Sequence, residues 1–133
     1  MKKNWSIIDD DEAFHFTTEL ILQKDDVVQR LDSFSNGKEG IEFIKAHLNE
    51  PEVLPDIILL DLYMPVLDGW DFLTILDEIE AELPKPIMVY VVTSTVDDQD
   101  YKKLRTIDRV KNYYVKPINR YMIREIMADQ ITH

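Results

Sequence analysis

At 133 residues, with 45% hydrophobic and 31% charged side chains, the chain is long enough for one domain with a buried core, and its composition is that of a globular protein. A formal net charge of -11 without a Lys/Arg cluster argues against direct contact with nucleic acid, and the absence of cysteine rules out disulfides and thiolate metal sites. The basic start Met1-Lys2-Lys3-Asn4-Trp5 lacks the apolar stretch that a secretion signal needs after it, and no run approaches the ~20 residues of a membrane span, so we expect a soluble, cytoplasmic protein.

Trp5-Ser6-Ile7-Ile8 predicts a first buried strand, followed by a helix whose core stripe would be Ala13, Phe16 and Leu20. A second strand is expected from Val27 to Phe34. Asn36-Gly37 then opens a helix with Ile41, Ile44 and Leu48 inward. Pro51 and Pro55 bracket a long loop before Ile57-Ile58-Leu59-Leu60, a third strand with the continuous apolar run of a parallel strand covered on both faces. Asp68-Gly69 precedes a helix carrying Phe72, Leu76 and Ile79, and Pro84 and Pro86 follow it. Ile87 to Val92 predicts the fourth strand, and Tyr101, Leu104 and Ile107 a shorter helix. Tyr113-Tyr114-Val115 predicts the fifth strand, and Ile118, Met122 and Ile126 mark the last helix. Five βα units without internal repeat or low-complexity segment imply an α/β, flavodoxin-like fold: an open five-stranded parallel sheet of order 2-1-3-4-5, with helices on both faces, occupying residues 1–133 as one domain.

Parallel strands open on one edge, so residues that follow them meet in one crevice. Asp9, Asp10 and Asp11 follow strand 1, Asp61 strand 3, Thr93 and Ser94 strand 4, and Lys116 strand 5. Several carboxylates in one crevice would not all ionise unaided, and a divalent cation removes that conflict. An all-oxygen donor set with no well-placed His suits Mg²⁺, with Mn²⁺ able to substitute. Asp61 can then act as a nucleophile and form an acyl phosphate, with Lys116 as a second cation and the Thr93 hydroxyl offered to a phosphoryl oxygen. Taken singly these residues have plainer roles. An Asp in the 9–11 run can cap the first helix, which fits Asp11 best. Thr93 alone reads as a strand-end hydroxyl and Lys116 as a surface lysine. Their joint placement is what points to chemistry. His15 and His47 read as helix-surface residues and not as ligands, and Trp70 as packing near the third helix.

Four segments in order, Ile7-Ile8-Asp9-Asp10-Asp11, Asp61-Leu62-Tyr63-Met64-Pro65 with Asp68-Gly69, Val92-Thr93-Ser94, and Tyr113-Tyr114-Val115-Lys116-Pro117, give the chain a pattern that resembles CheY-like response-regulator receiver domains over nearly its whole length. The resemblance implies phosphorylation of Asp61 by a histidine kinase or histidine phosphotransfer protein. It implies a metal held directly by Asp10, partly through water by Asp9, and by Asp61 and the backbone carbonyl of Tyr63. It further implies pairing of Lys116 with Asp61 or its phosphoryl group, a switch made of Thr93 and Tyr113, and a cis bond before Pro117. The output surface in such proteins is helix 4, strand 5 and helix 5, here roughly residues 97 to 130, where a downstream protein partner would bind; the chain would be a monomer or weak dimer. Tyr63 and Thr95 stand at positions that tune loss of the phosphoryl group in the family, and a bulky Tyr63 would shield the site.

Two other classes compete. A phosphohydrolase with an Asp nucleophile would need a second acid two residues on, where Tyr63 stands. A phosphorylation-independent pseudo-receiver would lack one of the acidic, hydroxyl or lysine positions, all of which this chain retains. The domain is therefore expected to be a phosphoacceptor and not an enzyme in the ordinary sense; a stand-alone regulator, a phosphorelay shuttle and a fragment of a longer protein all fit the sequence.

Overall fold

A computed structural model describes residues 2–132. The elements alternate: β1 (Lys3–Ile8), α1 (Glu12–Asp25), β2 (Val28–Phe34), α2 (Gly37–Ala46), β3 (Ile57–Leu60), α3 (Gly69–Glu78), a 3₁₀ turn (Glu80–Glu82), β4 (Met88–Thr93), α4 (Asp98–Leu104), β5 (Val110–Val115) and α5 (Arg120–Thr132). The strands form one sheet of order β2-β1-β3-β4-β5, and every neighbouring pair is parallel. This is the flavodoxin-like order expected from the sequence. Among the described residues no helix is long and apolar enough to cross a membrane.

The two-residue period of the strands divides the core in two. Ile8, Ile58, Leu60, Val89 and Val91 face α2 and α3, where they meet Ile41, Ile44, Phe72, Leu73 and Leu76, with Leu104 of α4 at the margin. Trp5, Ile7, Ile57, Leu59, Tyr90 and Val92 face α1 and α5, where they meet Phe14, Leu22, Ile118, Ile123 and Ile126. All four β3 residues are buried, as a central strand covered on both sides must be.

The stripe read for α1 is corrected. Ala13, Phe16 and Leu20 face solvent, with Phe16 66% and Leu20 44% exposed; the buried face is Phe14, Thr18 and Leu22. Both sets have helical spacing, so spacing alone could not choose between them. The Asp11 cap sets the rotational phase, and a polar Thr18 in the middle of the true stripe concealed it. Tyr101, which helical spacing places inward in α4, is also on the surface at 39% exposure. β5 starts at Val110, three residues earlier than the apolar signal, because its first half carries Lys111 and Asn112 on an exposed edge.

Helix starts place the rim loops. Asp11, Asn36, Asp68 and Asp97 each accept a backbone N–H from three residues on: Phe14, Glu39, Asp71 and Asp100. At the start of α3 the approach is so close that a Cβ on Gly69 would lie 2.3 Å from the Asp61 carbonyl oxygen and 2.8 Å from Leu62 Cα. Only glycine lets α3 pack against the end of β3. The long loop before β3 is pinned by the buried Asn4 amide, which donates to the carbonyls of Glu52 and Leu54 at 2.9 Å each.

Candidate phosphoacceptor and cation site

The rim where β1, β3, β4 and β5 end gathers Asp9, Asp10, Asp61 and Lys116. One carboxylate oxygen from each of Asp9, Asp10 and Asp61 can be chosen so that all three lie within 4.8 Å of one another. Asp9 and Asp61 are buried, at 1% and 6% exposure, while Asp10 is exposed and closes the cluster from the solvent side. The ladder carries both buried acids into place, since the Asp9 N–H donates to Phe34 and the Asp61 N–H to Ile8. Asp11 turns away to cap α1, and its own N–H donates to Asp9 Oδ1 at 2.9 Å.

Lys116 reaches in from the end of β5. Its Nζ lies 2.8 Å from Asp9 Oδ2 and 3.7 Å from both Asp61 Oδ2 and Asp11 Oδ2. Pairing with Asp61 or its phosphoryl group is the expectation; the ammonium reaches Asp61 and sits nearer still to Asp9, the more deeply buried carboxylate. The Phe14 ring lies 4.8 Å from the same ammonium. The Lys116 N–H donates to the Thr93 carbonyl at 2.8 Å, which ties the end of β5 to that of β4, and the Lys116-Pro117 bond is cis.

The electrostatics are unbalanced. Burial raises the Asp9 carboxyl above its ordinary value, outweighing its bonds to Lys116 and to the Asp11 N–H, and the Asp61 charge pushes the same way. Burial works against the Lys116 ammonium, but the bond to Asp9 and the charges of Asp9, Asp61 and Asp11 outweigh it and hold its pKa above the usual lysine value. One ammonium is therefore firmly charged, and Asp9 beside it still carries a burial penalty that it does not cancel. The donor set is three carboxylates with one solvent-facing side, which fits a hard divalent cation that keeps part of its water shell.

Thr93 is buried at the end of β4, the strand beside β3. Tyr113 is placed apart from the acids: it pairs with Val91 in the sheet, and its half-buried ring stands 5.5 Å from that of Tyr101 beneath α4. Tyr63 follows Asp61 by two residues, and its N–H points to Asp61 Oδ1 at 3.4 Å. Its ring is 52% exposed and leans outward to α4, where the hydroxyl donates to the Asp100 carboxylate. Val66, in the same loop, adopts a left-handed φ of 72°, a costly conformation for a β-branched residue.

Three features escaped the sequence. His15 is half-buried, and its Nε2–H donates to the Asp9 carbonyl at 2.7 Å, holding the acidic loop from inside α1. A His one turn beyond the capping Asp11 was the available signal. The contact of Tyr63 with Asp100 spans 37 residues and left no local trace. Trp70 packs near α3 as read, but it also receives the Lys103 ammonium 4.3 Å above its ring.

A model of the response regulator receiver domain family matches residues 6–128, and the chain belongs to that family. It is 32% identical over 84 residues to a protein-glutamate methylesterase/protein-glutamine glutaminase 2 of Photobacterium profundum, covering 63% of this chain and 19% of that protein. It is 32% identical over 96 residues to hybrid signal transduction histidine kinase I of Dictyostelium discoideum, covering 72% of this chain and 5% of that one. The chain thus spans about a fifth or less of the length of these two relatives. In fold it superposes on a two component response regulator from Cytophaga hutchinsonii with a TM-score of 0.88 at 22% identity, over the full length of both chains.

Proposed function

We propose that the chain, as a single receiver domain over residues 1–133, accepts a phosphoryl group on Asp61 from a histidine kinase or histidine phosphotransfer protein and passes the event to a protein partner. The observation that carries the reading is the convergence of Asp9, Asp10, Asp61 and Lys116, from three separate chain segments, at one rim of the sheet.

An Asp61 carboxylate oxygen attacks the phosphorus of the donor. The new P–O bond forms as the donor's P–N bond breaks, and the electron pair leaves with the imidazole. Asp9, Asp10, Asp61 and the Tyr63 carbonyl are the residues that would hold a cation. Mg²⁺ is the best fit to this oxygen set, with Mn²⁺ as a substitute, and when bound it neutralises charge on the phosphoryl oxygens. Lys116 moves from Asp9 toward the arriving group; its 3.7 Å distance from Asp61 leaves that shift short. Thr93 donates its hydroxyl to a phosphoryl oxygen, and Tyr113 follows it inward. The partner surface is α4, β5 and α5, roughly residues 97 to 130, and the protein works in the cytoplasm, where kinase and ATP are found.

The test is incubation with acetyl phosphate and Mg²⁺, followed by intact mass. One phosphoryl adduct is expected, absent with EDTA and absent in Asp61→Asn. An adduct that persists in EDTA, or that survives in Asp61→Asn, overturns the reading.

A further inference from the structure

The loop after β3 carries the acceptor and the proposed carbonyl ligand, yet its backbone between Leu62 and Asp68 belongs to no helix or strand. Within it, Tyr63 touches both ends of the site. Its N–H reaches Asp61 Oδ1 at a long 3.4 Å. Its hydroxyl reaches across to α4 and donates to both oxygens of Asp100, at 2.8 and 2.7 Å. Asp100 is itself fixed, because its N–H donates to the capping Asp97 Oδ1 at 2.8 Å. A second tie runs parallel to the first, from Lys103 of α4 to the Trp70 ring at the start of α3.

A two-point hold of this kind has a mechanical consequence. Tyr63 is half exposed, so the charge-assisted hydrogen bond to Asp100, beside the neighbouring Trp70, is a large share of what orients it. The side chain is anchored on α4, and the same residue's backbone borders Asp61. We propose that Asp100 is a positioning residue for the cation site: by accepting the Tyr63 hydroxyl it holds the Tyr63 backbone against Asp61. This rests on the phosphoacceptor reading of the rim. Coupling of this kind is reciprocal, so what occupies the site also pulls on α4 through the same strap, without passing through Thr93 and Tyr113.

The experiment is a titration of the whole chain with MgCl₂, followed by amide chemical shifts, in four variants. Tyr63→Phe removes the donor and leaves the Asp100 charge in place. Asp100→Asn removes the charge and keeps an acceptor. Asp100→Ala removes both, and the double variant Tyr63→Phe/Asp100→Ala tests additivity. The strap predicts that Tyr63→Phe and Asp100→Ala each raise the Mg²⁺ Kd roughly three-fold, the size of one net hydrogen bond. It also predicts that the double variant is no weaker than either single one, and that Asp100→Asn stays near wild type. A simple charge effect predicts the reverse: Asp100→Asn as weak as Asp100→Ala, with Tyr63→Phe unaffected. That pattern overturns the proposal. Wild-type protein that binds Mg²⁺ with all variants unchanged overturns the strap alone; wild-type protein that binds no Mg²⁺ overturns the site reading and the strap with it.

Discussion

The two rims of the sheet carry similar residues to opposite ends. At the N-terminal rim the charges pair one to one: Asp56 takes the Lys85 ammonium at 3.0 Å and the Asn4 N–H at 2.8 Å. Arg109, its side chain almost wholly buried, pairs with Glu80 and donates to the Ile87 carbonyl, although burial still works against its charge. At the C-terminal rim three carboxylates share one ammonium, and burial still penalises Asp9. The first rim pairs its charges one to one; the second has more acids than cations and so favours whatever supplies further positive charge. The chemistry is therefore expected where the structure is electrostatically incomplete, and substitutions at the two rims should fail in different ways.

The largest difference is expected at Lys116. On the proposed function, Lys116→Ala removes the cation that would meet the transferred group, and phosphorylation by acetyl phosphate should slow by roughly 10²–10³-fold, as when one stabilising donor is lost from a reaction centre. The growth rate of the adduct measures this; a rate within a few-fold of wild type would place Lys116 outside the chemistry.

Asn4→Ala is the counterpart at the other rim. It leaves the carbonyls of Glu52 and Leu54 without their donor and should cost about 2 kcal/mol in stability by urea unfolding, with the Mg²⁺ Kd unchanged. A matching loss of Mg²⁺ affinity would show that the rims are not independent.

The smallest effect concerns pH. The folded state holds the Asp9 proton more tightly than the unfolded chain, whose ordinary value is 3.8. Its stabilising contribution is thus present below that value and is lost as pH rises through the raised one. Asp9→Asn should flatten this decline, while weakening Mg²⁺ binding. Unfolding midpoints across pH 3 to 7 without divalent cation decide it; a steeper decline in Asp9→Asn would contradict the burial penalty.

Much of this was legible before any coordinates. Ile57-Ile58-Leu59-Leu60 cannot be exposed on either face, so Asp61 had to stand at a buried strand end. The βα alternation then sent the residues after β1, β4 and β5 to the same edge. What the sequence concealed depends on rotation and reach. The phase of α1 hides behind Thr18, so that spacing admits Phe16 and Leu20 as core although the fold exposes both. Lys116 has a long flexible stem, and only the folded geometry shows it nearer Asp9 than Asp61. The Tyr63 phenol finds Asp100 across two loops whose relative placement no local pattern encodes.

The most direct test locates the phosphoryl group itself. Borohydride reduces an acyl phosphate to an alcohol, so peptide mass spectrometry after treatment with acetyl phosphate, Mg²⁺ and borohydride reads the acceptor by position. Reduction at residue 61 alone is predicted. Reduction at Asp9, Asp10 or Asp11, or phosphoryl transfer that leaves the Asp61 peptide unchanged, would contradict it.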